Sequence, residues 1–172
     1  AVLAAFGLVA VNIAIQPHVA AVHARGDTAR LQKVASASAL AAVAVTAPVV
    51  LVFFAFGRDL VVLVFGAGYA GAHLPLVILT VGQAINAAFG SVGLLLNMSG
   101  HERSTARGLA VSTAVNVALN AALIPPFGMA GAATATALSV VTWNALLWQD
   151  VRRRLGIDAS VVRGLARPPW KS

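Results

Sequence analysis

Charged side chains are missing from four long stretches of the chain, residues 1–24, 34–57, 60–101 and 108–149. A helix that crosses a bilayer needs about 20 predominantly apolar residues, so the first two stretches each fit one span, near 1–24 and 34–57. The last two are too long for one crossing, and each must break. In 108–149 the break falls at Pro125-Pro126-Phe127-Gly128, where proline removes a backbone donor and glycine frees the turn. This gives spans at 108–124 and 129–149. In 60–101 the glycines Gly66, Gly68 and Gly71 cluster early, which predicts a short interfacial element over 60–70 and a span over 73–98. The pattern therefore predicts an all-α, polytopic transmembrane helix bundle of about five spans within residues 1–150, followed by a basic tail over 151–172. A signal peptide does not account for it, because its apolar region is short and occurs once.

Composition agrees with this pattern. Of 172 residues, 59% are apolar and 10% charged, with a mean hydropathy of +0.87. Soluble domains carry about 25% charged residues, so a soluble globule is excluded, and the apolar content excludes disorder. The net charge of +7 comes from 12 Lys and Arg against 5 Asp and Glu. Arg25, Arg30 and Lys33 follow the first span, and Arg103 and Arg107 follow the third. Arg152, Arg153, Arg154, Arg163, Arg167 and Lys171 fill the tail, and only Arg58 falls on the opposite side. That asymmetry predicts a cytoplasmic C-terminus by the positive-inside rule, with the tail on an anionic leaflet and Trp148 and Trp170 at the interface. Nucleic acid is not needed to explain the charge. With no cysteine there is neither a disulfide framework nor a thiolate metal site. The chain opens at Ala1 inside an apolar run, which reads as a piece of a longer protein.

Several motifs carry less than they spell. Residues 66–71 read GAGYAG, the glycine spacing of a dinucleotide loop, but no acidic residue follows between Tyr69 and Gly100 to hold a ribose. A glycine-rich elbow with Tyr69 at headgroup depth fits better. Asn97-Met98-Ser99 and Arg25-Gly26-Asp27 match a glycosylation and an adhesion motif on the side where neither operates. His18, His23, His73 and His101 are scattered rather than spaced as metal ligands. No catalytic constellation, metal set, ATP site or other cofactor site is present, so an enzyme is not expected.

The spans do carry neutral polar residues in register. Gln83, Asn86, Gly90, Gly93 and Asn97 recur at intervals of three and four, as do Gly108, Ser112, Asn116 and Asn120 at intervals of four, each set marking one helical face. Span five holds Gly131, Thr134, Ser139, Thr142 and Asn144 less regularly. Amides in hydrocarbon must be paired or wet, so these stripes face other helices or a water-filled cavity. The candidate cavity residues are Asn12, Gln16, Gln83, Asn86, Asn116 and Asn120. Arg25, Arg103 and Arg107 are candidate cations at the cytoplasmic mouth, and Pro17 and Pro48 are candidate helix-bending positions. Amide faces with prolines inside spans favour a transporter over a passive anchor.

The order of these features resembles the C-terminal half of a polysaccharide (O-antigen type) flippase of the multidrug/oligosaccharidyl-lipid/polysaccharide exporter superfamily. The resemblance is carried by Gln16-Pro17-His18-Val19-Ala20, by Ala24 to Gln32, by Val64 to Ala72 and by Leu94 to Gly100. It continues through Asn116 to Asn120, Leu123 to Ala133 and Val151 to Gly156. It implies one partial lobe of a two-lobe, six-plus-six-helix fold in the bacterial cytoplasmic membrane, with an N-terminal lobe supplied upstream. The implied activity is flipping an undecaprenyl-diphosphate-linked oligosaccharide outward, driven by an ion gradient or potential, alongside polymerase and glycosyltransferase machinery. A drug/cation antiporter or lipid II flippase of the same superfamily is the nearest alternative. A membrane scaffold subunit of a glycan-assembly complex is the alternative of another class.

Overall fold

The computed structural model describes Ile13, Val22 and residues 27–166. The span expected over 1–24, with Asn12, Gln16 and Pro17, falls outside the described residues apart from Ile13 and Val22, and Arg25 is also outside. Among the described residues the chain is all-α. Helix α1 covers Thr28–Phe65, a 3-10 turn covers Ala67–Ala72, and α2 covers His73–Phe89. Helix α3 covers Val92–Met98, α4 Glu102–Leu155 and α5 Val161–Ala166.

Helix α1 starts where Asp27 caps it. The Asp27 carboxylate accepts a hydrogen bond from the Arg30 backbone N–H at 2.9 Å, satisfying a donor that the first turn leaves unpaired. The acidic residue of the adhesion-like tripeptide thus has a local structural role. The helix passes through Pro48 and ends at Gly66, whose positive φ of 93° stops it. Its charges sit toward the two ends, and the uncharged stretch between Lys33 and Arg58 rises about 36 Å at 1.5 Å per residue. A hydrocarbon core is about 30 Å thick. Residues 60–65 continue α1 instead of forming part of a separate interfacial element, because nothing breaks the helix before Gly66. Only Ala67–Ala72 forms the elbow, held by the Tyr69 N–H donating to the Gly66 carbonyl at 3.1 Å.

Residues 73–98 are not one span. The chain breaks at Gly90, with φ 74° and ψ −160°, a conformation open essentially to glycine alone. The Ala159 carbonyl lies where a Gly90 Cβ would stand, so the break is made by tertiary packing. The following α3 has seven residues, about 10 Å of helix, too short to cross a bilayer.

Helix α4 is two helical arms joined at Gly128, whose φ of 54° and ψ of −128° are not helical and where the chain reverses direction. A Cβ on Gly131 would run into the Leu123 carbonyl, and one on Gly108 into the Leu147 side chain. Partners eight and 39 positions apart touch only if residues 102–127 and 129–155 are antiparallel arms. Among the described residues three helices are long and apolar enough to cross a membrane, Thr28–Phe65, Ala67–Phe89 and Glu102–Leu155, and the last of them is this hairpin.

Away from one apolar cluster, packing departs from that of a soluble core. Small residues are inside, among them Ala35, Ala39, Ala42, Ala133 and Ala135, while Leu51, Phe54, Phe56, Leu63 and Phe65 are exposed, Leu63 by 82%. Such an arrangement lets helix backbones approach closely and presents bulky side chains to lipid. This is an all-α membrane helix bundle.

The segment after α4 is anchored. Helix α4 runs past the expected 150/151 boundary, and Val151, Ile157 and Ala159 are buried in the largest apolar cluster beside Leu31, Val92, Leu95 and Leu147. The Gln32 side chain holds the Asp158 backbone from both sides, donating to its carbonyl at 2.6 Å and accepting its N–H at 2.7 Å. The Asp158 carboxylate accepts from the Trp148 indole at 2.9 Å and from the Ser160 N–H at 3.0 Å. Arg152 lies 4.7 Å above the Trp148 ring. Trp148, expected at an interface, is therefore part of a clasp.

Partial burial raises the Asp158 pKa, but the hydrogen bonds from Trp148 and Ser160 and the charge of Arg152 outweigh it and leave the pKa lowered. A carboxylate held below its unfolded value of ~3.9 stabilises the clasp above that pH and ceases to as pH falls through the folded pKa. The protection of residues 157–166 against hydrogen exchange, taken relative to the intrinsic rate at each pH, should therefore fall on acidification below about pH 4, and Asp158→Asn should remove most of that pH dependence. Gly90→Ala should lower stability in detergent by about 2 kcal/mol or more. Gly100→Ala, at φ 75° with no neighbour within 4 Å, should cost about 1 kcal/mol; thermal unfolding of the two variants checks the difference.

Candidate polar groove between the helical arms

The two polar stripes converge on one element, the second arm of α4. From α2, Asn86 donates to the Gln83 side-chain oxygen at 3.3 Å and accepts from the Asn144 amide at 2.8 Å. Asn144, fully enclosed at 1% exposure, gives its other proton to the Val140 carbonyl at 2.9 Å. Gln83, Asn86 and Asn144 form a connected chain of amides in which each proton placed by the geometry has an acceptor. Beside it, a Cβ added to Gly82 would stand 3.1 Å from the Ala137 Cβ and one on Gly93 3.5 Å from the Leu147 side chain, so glycines on α2 and α3 let the second arm approach.

The first arm presents its stripe to another face of the second. Gly108 packs on Leu147 and Trp143, and Ser112 is buried. Beyond them the arms part into an open groove of about 310 Å³ lined by Leu109, Ser112, Thr113, Asn116, Thr136, Ser139, Val140 and Trp143. On the second arm the groove residues and Asn144 lie about 90° apart around the helix at 100° per residue.

Three of the four hydroxyls in this groove are committed as donors, and that of Thr113 makes no hydrogen bond among the described residues. Ser112 gives its proton to the Leu109 carbonyl at 3.1 Å, Thr136 to Ala132 at 2.9 Å and Ser139 to Ala135 at 2.6 Å. Their lone pairs remain as acceptors. Asn120 donates to both the side-chain and backbone oxygens of Asn116, each at 2.9 Å, which leaves the Asn116 N–H₂ available. The result is a wall of hydroxyl acceptors, with the Asn116 amide and the Thr113 hydroxyl available to donate, beside the Trp143 ring. That set matches a hydroxyl-rich ligand with an apolar face, or ordered water. It contains no acid, base or nucleophile arranged for bond breaking, and among the described residues no group of His, Asp or Glu is placed to hold a metal.

Of the candidates named from sequence, Gln83 and Asn86 are brought together, as are Asn116 and Asn120, but the two pairs occupy separate sites. Asn97 is exposed on α3, off the α2 stripe, because the Gly90 break resets the register. Arg103 and Arg107 are exposed at the start of α4, and Pro48 lies within an unbroken α1. Asn12, Gln16, Pro17 and Arg25 fall outside the described residues. Sequence reasoning placed Asn144 among the irregular polar residues of span five and missed its pairing with Asn86. It also missed Trp143, Thr136 and the Gln32–Asp158 clasp. A lone amide in an apolar run was the available signal for Asn144; nothing local marks the partner of Gln32, which lies 126 positions away.

The basic segments also gather. Arg103 and Arg154 line one cavity, and Gln32, beside Arg30 and Lys33, is bonded to Asp158. The start of α1 and the two ends of the hairpin therefore share one end of the bundle. Arg58 lies toward the other end of α1.

No family model and no solved structure matches the chain. A curated protein does. Over 130 residues the chain is 28% identical to the "Probable low-salt glycan biosynthesis flippase Agl15" of Haloferax volcanii, covering 76% of this chain and 28% of that protein. The chain thus spans little more than a quarter of its relative's length, and it is similar to part of a membrane flippase.

If the amide chain is a packing device, Asn144→Ala should destabilise the protein by about 1–3 kcal/mol, the cost of stranding a buried partner. Asn86→Ala and Asn144→Ala combined should cost less than the sum of the single changes. Unfolding of the three variants in detergent checks this, and strict additivity would show that the two amides are uncoupled.

Proposed function

We propose that the chain is part of a carrier that flips a lipid-linked oligosaccharide across the cytoplasmic membrane for polysaccharide biosynthesis, within the multidrug/oligosaccharidyl-lipid/polysaccharide exporter superfamily. The observation that carries this reading is the similarity to a glycan biosynthesis flippase along 76% of the chain. The groove supports it chemically, since hydroxyl acceptors, the Asn116 amide and the Trp143 ring suit a sugar. The shared basic end supports, through the positive-inside rule, a reading in which the C-terminal segment is cytoplasmic and the chain crosses five times. In this reading Asn116 and Asn120 line the transport path, while Gln83 and Asn86 serve packing through Asn144. Arg103 stands at the cytoplasmic mouth, and cations within the membrane come from the N-terminal lobe.

A scaffold subunit of a glycan-assembly complex is the second reading. The paired Asn86–Asn144 contact favours it, because packing alone explains those amides. Two measurements separate the readings. In the full carrier, freed of other cysteines, Asn116→Cys should react with a water-soluble thiol reagent and Asn86→Cys should react at least about tenfold more slowly. Deleting the gene should trap lipid-linked oligosaccharide on the cytoplasmic face. Outer-leaflet glycan at the wild-type level, with protection of both cysteines, would favour the scaffold.

A further inference from the structure

At the open end of the α4 hairpin, away from the Pro125–Gly128 reversal and separate from the groove, lies a cavity of about 440 Å³ lined by Gly100, His101, Glu102, Arg103, Ser104 and Arg154. Its two guanidinium groups come from opposite arms. Among the described residues neither is ion-paired, and Glu102 in the same lining makes no ion pair with either. Ser104 is only 7% exposed. Its backbone N–H is used on the His101 carbonyl at 3.0 Å, and its hydroxyl makes no hydrogen bond among the described residues, although it borders the cavity. The neighbouring Ser99 hydroxyl gives its proton to the Leu95 carbonyl at 2.6 Å. The contact from His101 Nδ1 to Ser99 Oγ, at 3.3 Å, is therefore one in which the imidazole donates, which leaves Nε2 uncommitted.

The charge of this cavity is set by side chains. The positive end of the first arm and the negative end of the second lie together, so their helix dipoles largely offset. What remains is two arginines against one glutamate, with the hydroxyl of a mostly buried serine that makes no hydrogen bond among the described residues. A single carboxylate ligand would be satisfied by one guanidinium fork. Two arginines lining one cavity from different arms, with a serine in the same lining, match the several oxygens of a phosphoryl group. The geometry points to a phosphoryl-binding site between Arg103, Ser104 and Arg154, for a phospholipid headgroup or for a soluble phosphate. The inference does not rest on the transport reading, since it requires only that this end of the bundle meets a phosphate.

The test uses the full carrier. In one arm it is held in phosphatidylcholine nanodiscs and titrated calorimetrically with inorganic diphosphate. In the other it is taken from phosphatidylcholine vesicles containing about one-fifth phosphatidylglycerol, and retained phosphatidylglycerol is counted by native mass spectrometry. Arg103→Gln combined with Arg154→Gln should weaken binding about tenfold or more in at least one arm, as expected on losing charged hydrogen bonds. Ser104→Ala should weaken it by a smaller factor, and Arg58→Gln, toward the far end of α1, should leave it unchanged. A loss in the diphosphate arm identifies a soluble ligand, and a loss confined to the lipid arm identifies a headgroup; either supports the site. No binding by the wild-type carrier in either arm overturns it. Equal binding by the double variant, or an equal loss in Arg58→Gln, does the same. All four residues are near the surface or replaced by smaller groups, and a melting curve for each variant confirms that folding is unaffected.

Discussion

Close approach of helix backbones at small residues is the constraint on which the rest of this structure depends. Gly82 against Ala137, Gly93 and Gly108 against Leu147, Gly131 against Leu123 and Gly164 against Leu40 are all places where a larger side chain would separate two elements. In water, such contacts would be supplemented by a thick apolar core. In a bilayer the surroundings are as apolar as the interior, so dispersion contacts and interhelical hydrogen bonds must hold the helices. Both need short distances. The Asn86–Asn144 bond spans helices only because Gly82 and Gly93 on either side allow α2 and α3 to lie against the second arm.

That arm is the hub. Its Asn144 face meets α2, its Leu147 meets Gly93 and Gly108 together, and its Trp148 joins the Asp158 clasp that ties the following segment to α1. The groove lies on the remaining polar face, between Asn116 and Ser139. The feature that most resembles a ligand site is thus built on the most constrained helix, so its lining residues are held by contacts made elsewhere.

Much of this was legible from where charges are absent. The all-α membrane class follows from the uncharged stretches, and the hairpin reversal coincides with the Pro-Pro-Phe-Gly sequence because that sequence both stops a helix and permits φ > 0 at Gly128. The Gly90 break was not legible, since its cause is the Ala159 carbonyl, nearly seventy positions away. The same separation hid the clasp: Ile157 and Ala159 are sparse apolar residues following three arginines, and only contact with Gln32 and Leu31 gives them a place. The polar stripes were read in register, but register cannot distinguish an amide that meets another amide, such as Asn86, from one that borders open space, such as Asn116. That difference depends on whether Asn144 or Thr136 stands opposite.

The second arm has one further property. Thr134, Thr136, Ser139, Thr142 and Asn144 each donate to the carbonyl four residues earlier, at 2.6 to 2.9 Å. Each of those carbonyls already serves the main chain, so over a single stretch five acceptors are divided between two donors. Side-chain sharing of this kind loosens the helical ladder and eases curvature. The curvature this permits is fixed by packing, because Ala137 and Asn144 within the same stretch lie against Gly82 and Asn86 of α2.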